Sequence, residues 1–241
     1  RKDPVSGVPP FVSILFMLTV FVTVGISIFI VRRNSADTTA GRIVLAAIPF
    51  WLLFQAALGI GGFYQQTEGF PPRLLLFGPL PAFLFILALI VFARSTFVAS
   101  LPLLALTLIH TIRIPIEIVL HFLEEAGAIA PQMSFTGWNF DILSGISAPV
   151  IAYLAFRGRN PNRTLLIGWN FVALGLVLTI VGISIAAFPS PMQQIAFEQP
   201  NRAVSFFPYV WLPSVIVPIV VFCHFASLYK LFTNKVLPAR I

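Results

Sequence analysis

The chain contains seven apolar segments, each close to the length of about 20 residues that an α-helix needs to cross a lipid bilayer. Short polar connections separate them, and together they take up most of the 241 residues. The segments run from about Val8 to Val31, Ile43 to Phe63, Leu74 to Ala93, Leu101 to Leu123, Phe140 to Phe156, Leu165 to Phe188 and Phe207 to Phe232. Only 10% of the residues are charged, against roughly 25% in an ordinary soluble domain. We therefore predict an all-α polytopic integral membrane protein, with residues 1–241 forming a single transmembrane domain built as a seven-helix bundle.

The basic residues fall unevenly on the two sides of the predicted bundle. One side holds ten of them: Arg32, Arg33, Arg42, Arg94, Arg157, Arg159, Arg163, Lys230, Lys235 and Arg240. The other side holds four: Arg1, Lys2, Arg73 and Arg202. Because cytoplasmic connections of membrane proteins are enriched in Lys and Arg, we predict that the N-terminus is outside and the C-terminus cytoplasmic. The membrane expected for this arrangement is of the bacterial inner (plasma) membrane type.

Charge and motifs exclude several classes of function. The formal net charge of +7 sits at predicted helix ends, and no basic patch is interleaved with exposed aromatics, so no nucleic-acid partner is predicted. The three lysines, Lys2, Lys230 and Lys235, lie away from the middle of any segment, which argues against a retinal Schiff base. The sequence contains no GxxxxGK[ST], GxGxxG or GxSxG motif. Whether the chain is an enzyme stays open.

The fourth segment carries a stripe of ionisable residues in the stretch HTIRIPIEIVLHFLEE. In a regular α-helix of about 100° per residue, with His110 at zero, Arg113 lies near −60°, Glu117 near −20°, His121 near +20° and Glu124 near −40°. The five residues therefore share less than a quarter of the helix circumference. A charge at the bilayer centre costs about 2.5–3.5 kcal/mol even on the mildest scale, so such residues face the bundle interior and mark functional sites.

The stripe leads to the first functional hypothesis, in which the protein binds or translocates a small polar species or protons. Glu117 is the expected proton-binding carboxylate, Arg113 supplies a cationic contact, and His110 and His121 extend a relay toward each face. Arg113 is expected to pair with Glu117 one turn away, or to face a water-filled cavity, with neighbours from the fifth and seventh segments. The alternative is that these residues only hold helices together through buried hydrogen bonds.

Polar residues at the start of the fifth segment lie at a depth similar to that of His121. One interpretation is that Asp141 contacts His121 and holds a proton there. The other is that Trp138 anchors the chain at the membrane interface while Asp141 is a charge at a helix start. Both interpretations remain open on the sequence alone.

His110 and His224 lead to a second functional hypothesis. Counting about 1.5 Å per residue, His110 lies about 14 Å and His224 about 9 Å from the same side of the bilayer. They are therefore candidate ligands of a haem or a transition metal in a membrane redox protein, although the sequence has no CxxCH or HExxH motif. A third hypothesis is a non-catalytic subunit of a larger complex, in which the stripe meets a partner membrane protein or a second copy of the chain.

Overall fold

The computed structural model describes residues 5–233, and this part of the chain is helical with no β-strand. Its α-helices are α1 (Pro10–Ser35), α2 (Thr39–Ile60), α3 (Arg73–Phe77), α4 (Pro79–Phe92), α5 (Leu103–Leu108), α6 (Arg113–Glu125), α7 (Ile142–Phe156), α8 (Arg163–Ala186) and α9 (Val217–Phe232). Of the charges used for the predicted orientation, Arg1, Lys2, Lys235 and Arg240 lie outside the described residues.

Within residues 5–233, six helical stretches are long and apolar enough to cross a membrane. They are Pro10–Ser35, Thr39–Ile60, Arg73–Phe92, Leu103–Glu125, Arg163–Ala186 and Leu212–Phe232. The fifth predicted crossing corresponds to α7, an apolar helix of 15 residues. The prediction of an all-helical fold is therefore confirmed for the described residues, and six of the seven predicted crossings have helices long and apolar enough to span a membrane.

The helices differ sharply in how much of their surface is buried. Many large apolar side chains point outward, among them Leu53, Phe92 and Val172, which are 69%, 86% and 66% exposed. Soluble monomers rarely expose apolar surface on this scale, which is typical of a helix bundle surrounded by lipid. By contrast, 61% of the Leu103–Glu125 window and 67% of the Leu212–Phe232 window are buried, against at most 39% in the other four spans. These two spans form the centre of the bundle.

The Leu103–Glu125 span is not a continuous α-helix. A 3₁₀ turn, Ile109–Ile112, separates α5 from α6. Its position follows from Pro115, which has no backbone N–H to donate to the Thr111 carbonyl four residues earlier and whose ring crowds that carbonyl. In a 3₁₀ turn of 3.0 residues per turn, side chains three apart are eclipsed. His110 and Arg113 consequently lie in line, which corrects the offset of about 60° expected for a regular α-helix.

Two long connections form an ordered cap at the end of the bundle where α1 begins, called here the N-terminal side. They are residues 126–141, between α6 and α7, and residues 187–211, between α8 and the last span. The backbone nitrogens of Arg202 and Ala203 both donate to the Ala128 carbonyl, at 3.1 and 2.9 Å, and Gln199 Nε2 donates to the Ile129 carbonyl at 2.7 Å. Ala128 and Ile129 are fully buried. The cap therefore packs into the bundle and covers the ends of its central helices on the N-terminal side.

Candidate functional site

Arg113, the first residue of α6, is the centre of a buried hydrogen-bonded network. Its side chain is 3% exposed. Nη1 donates to Asp141 Oδ1 at 2.6 Å and to the Ala173 carbonyl at 3.2 Å, and Nη2 lies 2.9 Å from His224 Nε2. These partners come from the start of α7, from α8 and from α9. A single guanidinium thus joins α6 to three neighbouring helices.

His224 is fixed in one tautomer by its two neighbours. Asn170 Nδ2 donates to the Leu166 carbonyl at 2.8 Å, which turns Asn170 Oδ1 toward His224 Nδ1, also at 2.8 Å. Because an arginine can only donate, His224 Nε2 must accept from Arg113, and His224 Nδ1 must carry the hydrogen that Asn170 accepts. The imidazole of His224 is therefore neutral, and both of its nitrogens are occupied.

Glu117 is held by an asparagine rather than by the arginine one turn away. Asn139 Nδ2 lies 2.8 and 2.7 Å from the two carboxylate oxygens of Glu117, and 3.0 Å from the Met133 carbonyl. Glu117 is 2% exposed. Of the two surroundings expected for Arg113, the hydrogen bond to Glu117 does not form, because Asp141 reaches Arg113 from the start of α7 and takes the position of its counter-ion. The other is present, since Arg113 faces a cavity and has neighbours from the fifth and seventh segments.

The start of α7 approaches α6 closely enough to deliver Asp141. The Asp141 carboxylate accepts from Ser144 Oγ at 3.2 Å as well as from Arg113. One turn further on, a Cβ atom at Gly145 would lie 3.0 Å from the backbone nitrogen of Ile114 and 3.1 Å from Cβ of Arg113. Only a residue without a side chain permits this approach, as is usual where membrane helices pack tightly.

His110 lies flat against His224 and is completely buried. The two ring centroids are 4.0 Å apart with 22° between the ring planes, and the Trp169 ring meets His110 edge-on at 5.3 Å. Among residues 5–233, neither ring nitrogen of His110 has a hydrogen-bond partner. Both ring nitrogens of His224 are therefore hydrogen-bonded, whereas in the described residues both ring nitrogens of His110 lack a partner.

The stacked histidines do not fit the haem or metal hypothesis. Ring nitrogen lone pairs lie in the plane of each imidazole, so two nearly parallel rings in contact do not direct them at one ion, and no slot for a porphyrin lies between them. His224 Nε2 is already bound to Arg113. In the described part of the chain, no group of three or more His, Cys, Asp or Glu side chains is arranged to hold a metal ion.

His121 is separate from the network around Arg113. It lies near the N-terminal side, 27% exposed, with Nδ1 3.8 Å from Glu124 Oε2 and Nε2 3.6 Å from Glu125 Oε1. The expected contact between Asp141 and His121 is wrong, because Asp141 turns inward to Arg113. Trp138 is 58% exposed and Asp141 immediately precedes α7, as the second interpretation of this region requires.

A cavity of about 380 Å³ lies against the network. Arg113, Glu117 and Asp141 are the charged residues of its wall. Most of the remaining wall is apolar and comes from α3 and α4, the second half of α8 and the beginning of the Leu212–Phe232 span. Pro71 and Leu80, both exposed, belong to the lining, so the cavity reaches the molecular surface on the flank between α4 and α8.

Two network residues were not among the sequence-predicted site residues. Asn139 belongs to the polar start of the fifth segment but was given no role, and Asn170 was missed. A lone amide inside the apolar run IGWNFVALG is a usable signal, because membrane helices bury such groups only with partners. Arg113 and Glu117 are covered by helices of this chain itself, so they are not free to meet a partner chain as the third hypothesis requires.

Comparison with protein-family models, with curated proteins and with solved structures finds no match for this chain.

Proposed function

We propose that this membrane protein binds protons at Glu117 and couples their binding to the uptake or translocation of a small species that carries a polar or charged group, through the cavity beside it. The observation that carries the proposal is a pair of buried carboxylates beside a single guanidinium that binds just one of them. Asp141 pairs with Arg113 at 2.6 Å, whereas among the described residues Glu117 has only the neutral amide of Asn139 as its hydrogen-bond partner.

The number of charges in the network favours Glu117 as the proton-binding group. Arg113 cannot lose its proton, and its charge is balanced by Asp141 alone. His224 is neutral for the reasons given above, and His110 has no partner that would stabilise a charged ring. A deprotonated Glu117 therefore leaves one uncompensated negative charge at a depth where isolated charges are costly. Binding of a proton, or of another cation, removes that charge.

Access to Glu117 is from one side. The cavity lies in the half of the bundle nearest the N-terminal side, and Glu117 forms part of its wall. Toward the other side, below His110 and His224, the helices pack through a cluster of buried apolar side chains. That cluster includes Leu101, Leu106, Ile109, Cys223 and Ala226. In the proposed cycle this cluster must open for a species to cross, so it is the gate of the pathway.

The proposed arrangement in the membrane has seven crossings, with α7 as the fifth. The N-terminus is outside and the C-terminus cytoplasmic, in a plasma membrane of the bacterial inner-membrane type. The support is the distribution of basic residues, of which Arg32, Arg33, Arg94, Arg157 and Arg159 all fall at helix ends on the side opposite the cap. Under this arrangement the cavity opens toward the outer half of the bilayer.

Infrared spectroscopy of the protein in lipid nanodiscs tests the proposal. During a pH titration, we expect the carbonyl stretch of a protonated carboxylic acid in an apolar environment, and we expect it to vanish in Glu117→Gln. Gln keeps the shape of Glu117 and still accepts from Asn139. The control is Glu125→Gln. The Glu125 side chain is 57% exposed, so this substitution should leave the band unchanged.

Proton flux into proteoliposomes is a second test. It should fall to the protein-free level in Glu117→Gln and stay unchanged in Glu125→Gln. Equal, mild effects of both substitutions would contradict the proposal.

A further inference from the structure

We infer that the cavity binds a lipophilic organic cation, an amine with an apolar body, which pairs with Glu117 and displaces its proton. This inference rests on the proposed function, since it names the class of ligand that exchanges with the proton. Three observations carry it: the apolar wall of the cavity, its opening on the lipid-facing flank and the unbalanced carboxylate at its inner end.

The shape and lining of the cavity define the body of the ligand. A volume of about 380 Å³ falls in the range of roughly 300–1,000 Å³ that holds small organic molecules, and it is too small for a double-chain lipid. Its wall includes Leu75, Phe83, Val181 and Ile216. A polar solute such as a sugar would leave its hydroxyl groups without partners against these side chains. The body that fits is apolar.

The opening of the cavity defines the route of entry. Leu80 belongs to a membrane-spanning helix, is 44% exposed and lines the cavity. Leu84, one turn further along α4, is 56% exposed on the outside of the bundle. The mouth therefore faces the hydrocarbon of the bilayer, and a ligand reaches it by first partitioning into the membrane. Amphipathic molecules take this route, whereas strongly hydrated ones do not.

The charge at the inner end of the cavity defines the head group. The ionisable side chains around Glu117 are Arg113 and His121, each one turn away on its own helix, and Asp141 before α7, while His110 and His224 lie beyond Arg113. The charge of Arg113 is balanced by Asp141, so a further anion would meet no unpaired positive charge there, although Arg113 Nε has no hydrogen-bond partner among the described residues. Asn139 Nδ2 has two hydrogens for three acceptors, the two Glu117 oxygens and the Met133 carbonyl, so the Glu117 carboxylate retains free lone pairs. An ammonium group donates to that site and restores neutrality.

Ligand binding and proton release are linked by this balance of charge. The neutral state holds either a proton on Glu117 or an ammonium beside the Glu117 carboxylate, and it does not hold both. Binding of a protonated amine therefore releases the Glu117 proton, and the charge of the network is the same before and after. A carboxylic acid of the same shape would place a second anion beside Glu117 and Asp141.

Isothermal titration calorimetry with the full chain in nanodiscs tests this inference, with empty nanodiscs as the reference. The probes are phenylbutylamine, phenylbutanol and phenylbutyrate, which share a body and differ in head-group charge. We expect the amine to bind at least about 10-fold more tightly than the other two, a difference of about 1.4 kcal/mol. Titration in two buffers of different ionisation enthalpy should show net proton release with the amine.

Two variants separate the site from non-specific partition into lipid. Glu117→Gln should weaken amine binding about 10-fold and abolish proton release, with Glu125→Gln as the matched control. Val181→Phe places a larger side chain in the cavity. It should block binding of the amine while leaving the infrared band of Glu117 intact. Tighter binding of phenylbutyrate, or equal binding of the amine to the native chain and to Val181→Phe, would overturn the inference. If the amine does not bind but the infrared band of Glu117 is present, this inference is overturned and the proposed function stands. If the native chain shows no such band, both are overturned.

Discussion

Arg113 is the residue on which the buried network depends, because its two terminal nitrogens bind groups from three other helices. Removing one member of a buried ion pair leaves the other charge uncompensated, at a cost of about 3–5 kcal/mol. The same reasoning explains why the network contains three further neutral hydrogen-bonding groups, Asn139, Asn170 and His224. Each one satisfies a lone pair or a proton that the apolar surroundings cannot satisfy.

A double-mutant cycle on Arg113 and Asp141 tests the pair. We expect Arg113→Met and Asp141→Asn each to lower the free energy of unfolding in bicelles by about 3 kcal/mol. The double variant should lose less than the sum, because no charge is left unpaired, with a coupling of about 1–3 kcal/mol. The control is Arg157→Met at the exposed end of α7, which should change stability by less than about 0.5 kcal/mol. Strictly additive costs would mean that the two side chains do not act as a pair.

At this scale the sequence identified the polar residues but not their partners. The position of Arg113 and Glu117 on one apolar helix made them candidates, because charges in such a helix are rarely accidental. The choice of Asp141 over Glu117 as counter-ion depends on how closely α7 approaches α6. That distance is a property of tertiary packing, and no periodicity within the fourth segment encodes it.

Close packing of α7 on α6 is the element-level feature that assembles the site. The Gly145 backbone lies against Ile114 and Arg113, where a Cβ atom would be 3.0–3.1 Å from three of their atoms. Two of these three are a backbone nitrogen and a Cβ, which cannot move aside as the end of a flexible side chain can. A larger residue must therefore push α7 away and carry Asp141 with it.

A matched pair of glycine substitutions tests this contact. Gly145→Ala should lower the free energy of unfolding by about 1–3 kcal/mol through overpacking, and it should weaken the infrared signature of Glu117 by shifting Asn139. Gly175→Ala on α8 is the control, since a Cβ there meets nothing within 4 Å. Alanine at this open helical position should be neutral or stabilise by up to about 1 kcal/mol. If both variants unfold alike, close packing at Gly145 does not hold the site together.

The 3₁₀ turn at Ile109–Ile112 shows why element geometry was only partly predictable. Pro115 was visible in the sequence, and the loss of its donor to Thr111 follows directly from its chemistry. Whether the chain responds with a kink, a π-bulge or a 3₁₀ turn depends on the neighbours that accept the freed groups. Here the tighter turn brings His110 into line with Arg113 and sets the ring of His110 against His224.

The whole molecule is organised around its two most buried spans, Leu103–Glu125 and Leu212–Phe232, with the more exposed helices around them. Their ends are tied on both sides of the bundle. Ser13 and Tyr209 hydroxyls meet at 2.8 Å on the N-terminal side, and Lys230 Nζ donates to the Ala99 carbonyl at 2.5 Å on the other. The last span therefore runs parallel to α1 and antiparallel to the Leu103–Glu125 span.

Cysteine labelling with a membrane-impermeant maleimide tests the seven-crossing arrangement. In a Cys223→Ala background, single cysteines at Glu125, Asn160 and Glu198 lie at the end of α6, between α7 and α8, and between α8 and the last span. We expect the cysteines at 125 and 198 to label in intact cells, and the cysteine at 160 only after permeabilisation. Labelling of the cysteines at 125 and 160 from the same side would mean that α7 does not cross the membrane. Labelling of 160 alone in intact cells would invert the orientation.

Membrane-spanning helices were the most predictable feature of the whole molecule, because length and hydropathy alone determine them. The ordered cap was not predictable. Residues 189–206 of the cap were expected to be a polar connection, and residues 207–211 the start of the seventh segment. Their structure depends on hydrogen bonds such as that between Asn201 Nδ2 and Ser184 Oγ, which no periodic pattern in the sequence predicts. The cavity was equally hidden, since its wall comes from five separate parts of the chain.

The length of α7 has a consequence for the lipid around it. Its 15 residues rise about 22 Å, less than the roughly 30 Å of hydrocarbon in a typical bilayer. Leu143, Ile146 and Tyr153 nevertheless point outward along it. In the proposed seven-crossing arrangement we therefore expect a hydrophobic mismatch at α7, which the bilayer relieves by local thinning at that face. Asp141 lies at the end of this short helix, so we expect a change in lipid chain length to shift α7 and to strain the ion pair between Asp141 and Arg113.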